Sequence, residues 1–167
     1  MKGDAKVIEY LNQALTNELT ATNQYWLHYR MLEHWGITRL AKYERKESIE
    51  EMQHADMLAE RILFLDGLPN FQRIGALRIG DSVPEVLASD LALEQEAIPL
   101  LRDGIEHCEA VRDFVTRDLF KSILANEEEH VDFIEKQLEL IEKMGLPNYI
   151  QLQTHPADEA HGSAGAV

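Results

Sequence analysis

The chain has 167 residues, enough for one domain with a substantial core, and its single cysteine excludes an internal disulfide. Its 30 acidic and 16 basic residues give a formal charge of −14, which argues against nucleic-acid or anionic-membrane partners and favours cations. No apolar run approaches the ~18 residues of a membrane span, and the first residues lead into no apolar signal-peptide region. We therefore expect one compact domain in the cytoplasm.

The first half of the chain predicts two long helices. Asp4 is a suitable N-cap for a helix over 5–34, in which Glu18 interrupts an otherwise apolar stripe. After a short break, a second helix is predicted over 38–65, with Gly67 as the residue that ends it. Because the connection between them is short, the two helices should be antiparallel.

The second half predicts another helical pair after a long connection. Residues 68–81 show no helical period, so we expect a crossover there. The Ser-Val-Pro-Glu sequence at 82–85 is a capping box that should begin a third helix, ending near residue 111. A fourth helix is predicted over 113–143 and a short fifth helix over 148–153.

Two further features concern the third helix and the end of the chain. Pro99 removes one backbone hydrogen bond, which predicts a kink or bulge after Glu94. The helical domain should comprise residues 1–153. Residues 154–167 are rich in small and polar side chains, and we expect a flexible C-terminal tail.

Two Glu-x-x-His motifs indicate the chemistry of the chain. Glu51 and His54 lie in the second helix, and Glu127 and His130 lie in the fourth. Residues three apart on a helix are about 60° apart around its axis, so both side chains of a motif can reach one ion. Both motifs interrupt apolar stripes that contain no lysine or arginine, and an unpaired buried carboxylate is costly. A metal cation is the simplest missing counter-charge.

An internal repeat relates the two halves of the chain. The pairs Glu18 and Glu94, Glu51 and Glu127, and His54 and His130 are each 76 residues apart. Two related helical hairpins joined by a crossover form a four-helix bundle, in which corresponding residues face one another. The pattern therefore predicts one core site of four glutamates and two histidines, which is the general di-iron carboxylate arrangement. Iron, manganese and zinc all suit such ligands.

The chain resembles the bacterioferritins up to about Leu152, on these six residues, on Met52 and on the Leu-Pro-Asn-Tyr sequence at 146–149. The resemblance implies an all-α, ferritin-like up-down-down-up bundle with a short fifth helix. It also implies a homo-oligomeric shell of 24 subunits, built from two-fold dimers, that oxidises ferrous iron with dioxygen or hydrogen peroxide and stores ferric mineral. In such a ferroxidase centre Glu51 and Glu127 would bridge two iron ions, and Glu18 and Glu94 would be terminal ligands, with one histidine for each iron.

The resemblance also assigns a haem ligand. Met52 would hold one haem b per dimer, ligated by the methionine of both chains, and an electron-donor protein would be a further partner for iron release. From the helical pattern alone, Met52 is an interface residue beside Ile49 and Leu63. Some family members carry an inner-surface iron site, but this chain has Lys46 and Glu50 there, so we expect no third iron site.

The same sequence pattern allows other functions. A free-standing di-metal oxidase, peroxidase or manganese catalase could use the same bundle, and a metal-free structural bundle is the third alternative.

Tyr25 is placed to hydrogen-bond a ligand carboxylate or to fill the core. The remaining five histidines are expected to be surface residues or satisfied core residues, namely His28, His34, His107, His155 and His161.

Overall fold

The computed structural model describes residues 1–157, which form five helices and no strand. The predicted all-α class and the order of the helices are therefore confirmed. The boundary at residue 153 remains a prediction, and most of the expected tail lies outside the described residues. The helices are α1 (Ala5–His34), α2 (Thr38–Phe64), α3 (Val83–Ala110), α4 (Phe114–Met144) and α5 (Leu146–Leu152).

The helix ends show where local sequence signals held and where they did not. Asp4 caps α1 by accepting hydrogen bonds from two backbone N–H groups, as expected. At the end of α2, however, the left-handed residue that ends the helix is Asp66 (φ 59°) and not the predicted Gly67. Position 67 needs a glycine because there is no room for a side chain. A Cβ there would lie 2.8 Å from a methyl group of Ile62.

The N-terminal cap of the third helix differs from the predicted capping box. Ser82 is the N-cap of α3, but its side chain makes no capping hydrogen bond. The other half of the capping box is displaced by one residue, since Glu85 accepts from the N–H of Asp81 at 2.8 Å. The α-helix continues through Pro99 without interruption.

The crossover runs as a strap along α1. Acceptor atoms on one stripe of α1 bind backbone N–H groups of the crossover at 2.8–3.2 Å. The pairs, in chain order along both segments, are Asn12 with Asn70, Thr20 with Gly75, Gln24 with Arg78 and His28 with Gly80. The strap therefore runs in the same direction as α1. Both α2 and α3 thus begin near the C-terminal end of α1, and they run parallel to each other and antiparallel to α1. With α4 antiparallel to α3, the bundle is up-down-down-up.

Two apolar clusters fill the two ends of the bundle. One contains Leu11, Leu15, Ile62, Leu101 and Phe120 among its buried members, and the other contains residues such as Leu40, Leu87 and Ile134. Along each of the four long helices, the glutamates of the predicted site fall between these clusters. The dinuclear set, as we call the six predicted ligands, therefore occupies a polar layer between two apolar ones.

Candidate metal centre

The structure brings all six residues of the dinuclear set together in the middle of the bundle. α1 and α3 each contribute one glutamate, and α2 and α4 each contribute a Glu-x-x-His pair. No member is more than 5% exposed, although four are acids. The members are Glu18, Glu51, His54, Glu94, Glu127 and His130.

The six side chains divide into two overlapping groups of four. In each group the members have ligand atoms within 4.8 Å of one another. Glu51 and Glu127 belong to both groups, which is the arrangement that two bridging carboxylates would need. The first group is completed by Glu18 and His54, and the second by Glu94 and His130.

The Nδ1 atoms of both histidines point toward the carboxylates. His54 Nδ1 lies 3.2 Å from Glu18 Oε2 and 3.4 Å from Glu51 Oε2. His130 Nδ1 lies 3.2 Å from Glu51 Oε1 and 3.4 Å from Glu94 Oε1. Each histidine thus faces the shared Glu51 and one glutamate that belongs to a single group, which gives the set an approximate two-fold arrangement.

Several atoms of the set are buried without a hydrogen-bond partner. Both carboxylate oxygens of Glu51, Oε1 of Glu127 and Nδ1 of His130 are in this position. Burying such atoms unsatisfied is unfavourable, and native structures rarely do so without a reason. Mixed carboxylate and imidazole donors suit divalent transition metals, so cations would satisfy these atoms.

The electrostatics of the set favour shared protons when no cation is bound. Burial, reinforced by the charge of Glu51, raises the pKa of both Glu18 and Glu127. Burial opposes the protonation of His54, but Glu127, Glu18 and Glu51 outweigh it and raise its pKa to about 12. The pKa of His130 is raised in the same way, against burial, mainly by its contact with Glu47. The pKa of Glu51 is lowered, because the two histidines outweigh its burial.

The chain is similar to known proteins over nearly its whole length. The family model described as a ferritin-like domain matches residues 8–144. A bacterioferritin of Brucella melitensis is 55% identical over 160 residues, covering 96% of this chain and 99% of the relative. A bacterioferritin of Streptomyces coelicolor is 51% identical over 166 residues, covering 98% and 99%. One of Rhodobacter capsulatus is 49% identical over 160 residues, with 96% and 99% covered.

The chain belongs to the bacterioferritin family. Its match to these bacterioferritins extends over nearly the whole length of both chains. The resemblance to the bacterioferritins that the sequence shows is therefore confirmed. None of the helices described over residues 1–157 is long and apolar enough to cross a membrane.

Two residues next to the dinuclear set contact its members. The buried phenol of Tyr25 donates a hydrogen bond to Glu94, which is one of the two roles that the sequence left open for it. The helical count places Glu47 only as an acid near this face of α2. In the structure it is 1% exposed, and its Oε2 lies 2.5 Å from His130 Nε2, although the geometry makes no hydrogen bond. Its position one turn before Glu51 was the signal that could have identified it.

On the same side of α2, Lys46 forms ion pairs with Glu47 at 3.0 Å and with Glu50 at 3.3 Å. Glu47, Glu50 and His130 also offer ligand atoms within 4.8 Å of one another. The absence of a third iron site accordingly remains a prediction.

Three of the other histidines have partners outside the dinuclear set. His28 is fully buried against Asp90, which confirms a satisfied core histidine. His107 contacts Asp4, and His155 contacts Thr38. His34 is exposed, and His161 lies outside the described residues.

Met52 lies away from the dinuclear set, on the outer side of α2. Its side chain is 42% exposed, beside Ile49 and Trp26, which are also exposed. These residues line an open groove of about 560 Å³ between α1 and α2, together with Thr22, Ser48, Gln53 and Asp56. An exposed thioether in a largely apolar groove suits a flat apolar group, so the residues present fit a haem.

Proposed function

We propose that this protein oxidises ferrous iron at the dinuclear set and stores the ferric product inside a shell of 24 subunits. The supporting observation is the pair of overlapping four-residue groups that share Glu51 and Glu127. Two adjacent ferrous ions each supply one electron, so dioxygen can take up two electrons and two protons to form hydrogen peroxide. With hydrogen peroxide as oxidant, two electrons and two protons give two water molecules. Pairing the ions avoids one-electron products of oxygen.

The residues of the set have distinct roles in this proposal. Glu51 and Glu127 hold both ions, and Glu18 with His54 and Glu94 with His130 complete the two ligand sets. Four carboxylate charges balance two divalent ions, so the loaded site is neutral. Tyr25 orients Glu94 through its hydrogen bond. Glu47 faces Nε2 of His130 and thereby keeps Nδ1 directed at the site.

Haem b is the proposed resident cofactor, held by Met52 of both chains of a two-fold dimer. When bound, two thioether ligands favour ferrous haem and hence electron delivery to the ferric store. Trp26 and Ile49 would cover its apolar surface within the groove. An electron-donor protein is the proposed partner for iron release, and we place the shell in the cytoplasm.

Stopped-flow oxidation of two ferrous ions per chain tests the site. Replacing Glu127 by Ala removes a ligand shared by both ions, so rapid oxidation should be nearly abolished. Glu129→Ala, an exposed acid two residues along the same helix, is the matched control and should keep the wild-type rate. A wild-type rate in Glu127→Ala would refute the bridging role.

Native mass spectrometry with iron analysis tests storage. Both variants and the wild type should form the 24-subunit particle, and the wild type should retain iron far above two ions per chain. A particle no larger than a tetramer, carrying about two metal ions per chain, would instead favour the free-standing oxidase or catalase alternative.

A further inference from the structure

One end of the groove beside Met52 carries a positive charge. Arg45 lies on α2 one turn before Ile49, and its guanidinium carbon is 5.8 Å from the centre of the Trp26 ring. Trp26 and Ile49 both line the groove, so the partly buried Arg45 borders it. The groove is therefore largely apolar along its sides and cationic at this end.

The guanidinium of Arg45 is available to bind an anion. Other arginines of the chain pair with acids, namely Arg30, Arg61, Arg78, Arg102 and Arg117. Over residues 1–157, Arg45 forms no such ion pair and donates no hydrogen bond from its side chain. Its contact with Trp26 is a cation–π interaction, which needs no acceptor atom. The five N–H donors of the guanidinium thus remain free for a carboxylate, the group whose geometry they match best.

Charged residues along α2 give the groove a direction. One stripe of this helix, at steps of four, three and four residues, consists of Arg45, Ile49, Met52 and Asp56. Along the helix axis Arg45 lies about 10.5 Å before Met52, and Asp56 lies about 6 Å after it. Within one chain, a ligand held at Met52 therefore has positive charge toward one end of the stripe and negative charge toward the other. Anionic groups on that ligand are favoured toward Arg45.

The cofactor proposed for this groove carries two anionic groups. Haem b is apolar except for two propionates, which project from its rim, away from the iron, and are carboxylates at neutral pH. A two-fold axis in the plane of the ring approximately exchanges the two propionates and the two faces. A dimer axis that relates the Met52 side chains of both chains across the iron can run along this direction. Each chain's Arg45 is then equivalent with respect to one propionate, so there is one arginine for each carboxylate.

We propose that Arg45 of each chain binds one haem propionate and makes the groove specific for porphyrins with free carboxylates. Guanidinium and carboxylate form charge-assisted hydrogen bonds, and salt screens a partly buried pair less than an exposed one. Met52 supplies the bond to the iron, whereas Arg45 recognises the rim of the cofactor. The inference rests on the proposed binding of haem at Met52, but not on iron oxidation or on the shell.

Titration of haem-free protein with two porphyrins tests this role. Haem b has free propionates, and its dimethyl ester has the same ring and iron without charge on the rim. Arg45→Met removes two charge-assisted contacts per haem, so it should lower the affinity for haem about 10- to 100-fold and leave the affinity for the ester unchanged. Lys42→Met removes an exposed cation three residues earlier on α2, and this matched control should bind both porphyrins as the wild type does. Equal affinity for haem in Arg45→Met and the wild type would overturn the inference.

Two further measurements separate recognition from packing. Arg45→Lys keeps the charge but not the planar fork, so it should retain part of the preference for haem over the ester. Haem bound to Arg45→Met should keep the absorption spectrum of the wild type but have a lower midpoint potential, because loss of nearby positive charge favours the ferric form. If Arg45→Met loses affinity for haem and ester by the same factor, the arginine acts only by packing on Trp26, and the inference is wrong.

Met52→Leu distinguishes this inference from the haem proposal on which it rests. The variant should lose both porphyrins, because it removes the ligand of the iron itself. If Met52→Leu binds haem as the wild type does, the haem proposal fails and this inference fails with it. If Met52→Leu loses both porphyrins but Arg45→Met shows no change in preference, the haem proposal stands and only the role of Arg45 is overturned.

Discussion

Loading the dinuclear set with metal should displace about four protons per chain from the ligands themselves. Four members have raised pKa values without metal, namely Glu18, Glu127, His54 and His130. Each must lose its proton to act as a ligand, because a metal binds carboxylate and neutral imidazole. Two ions therefore displace about two protons each.

The sign of the pH dependence follows from this count. The metal-free form binds more protons, so cation affinity rises with pH. Two protons per ion correspond to an about 100-fold change in dissociation constant per pH unit, or about 2.7 kcal/mol. This slope applies at pH values below the raised pKa values of all four groups, among which the pKa of His54 lies at about 12. Bound zinc at 100 times its dissociation constant should also stabilise the fold by about 2.7 kcal/mol per site.

Isothermal titration calorimetry with zinc, in buffers of different ionisation enthalpy and at three neighbouring pH values, measures both quantities. Glu129→Gln, which changes an exposed acid of α4, serves as the control and should match the wild type. Release of about two protons per chain or fewer, or an affinity that does not change with pH, would refute the assignment of protons to these four ligands.

Three further outcomes are expected. Asp113 accepts from Arg61 at 2.8 Å and caps α4, so Asp113→Ala should cost about 2 kcal/mol near neutral pH, or about 4–8 °C in Tm. The pKa of Asp113 is lowered in the fold, against its burial, by bonds from Thr116 and Arg61. Its contribution is therefore complete above the ordinary aspartate pKa and is lost at lower pH, so a Tm difference that persists in acid would contradict this account. Gly104→Val should lower Tm, because a Cβ there lies 2.9 Å from the Phe120 ring, and Phe120→Leu should restore part of the loss. Met52→Leu should purify without haem yet oxidise iron at the wild-type rate, and an unaltered haem absorption spectrum would place the axial ligand elsewhere.

The sequence predicted the bundle and the dinuclear set because both depend on periodicity. Glu18 and Glu94 stood out as single acids in apolar stripes, and the 76-residue repeat paired them across the core. The same helical count placed Tyr25 within reach of a ligand carboxylate, and in the structure Tyr25 donates a hydrogen bond to Glu94. Features that recur every three or four residues can be located from the order of the amino acids alone.

Features that depend on contacts between distant segments could not be predicted in this way. A cluster of His28, Glu44 and Asp90 joins three helices, and none of these residues belongs to a motif. Glu47 was visible one turn before Glu51, but only the packing of α4 against α2 places His130 beside it. The left-handed Asp66 was missed because glycine is the commoner residue in that conformation, and here the lack of space next to Ile62 requires the glycine one position later.

The strap along α1 constrains the length of the crossover. From Asn12 to His28 the helix rises about 24 Å, at 1.5 Å per residue. The crossover covers this distance between Asn70 and Gly80, and four of its amides must meet side chains at fixed heights along the helix. Removing one residue would displace every later amide by about 3.3 Å, more than the tolerance of a hydrogen bond. Surface loops usually tolerate insertions and deletions. Here the spacing of the acceptors along α1 fixes the number of residues in the crossover, so natural variation in this connection should be confined to side-chain substitutions.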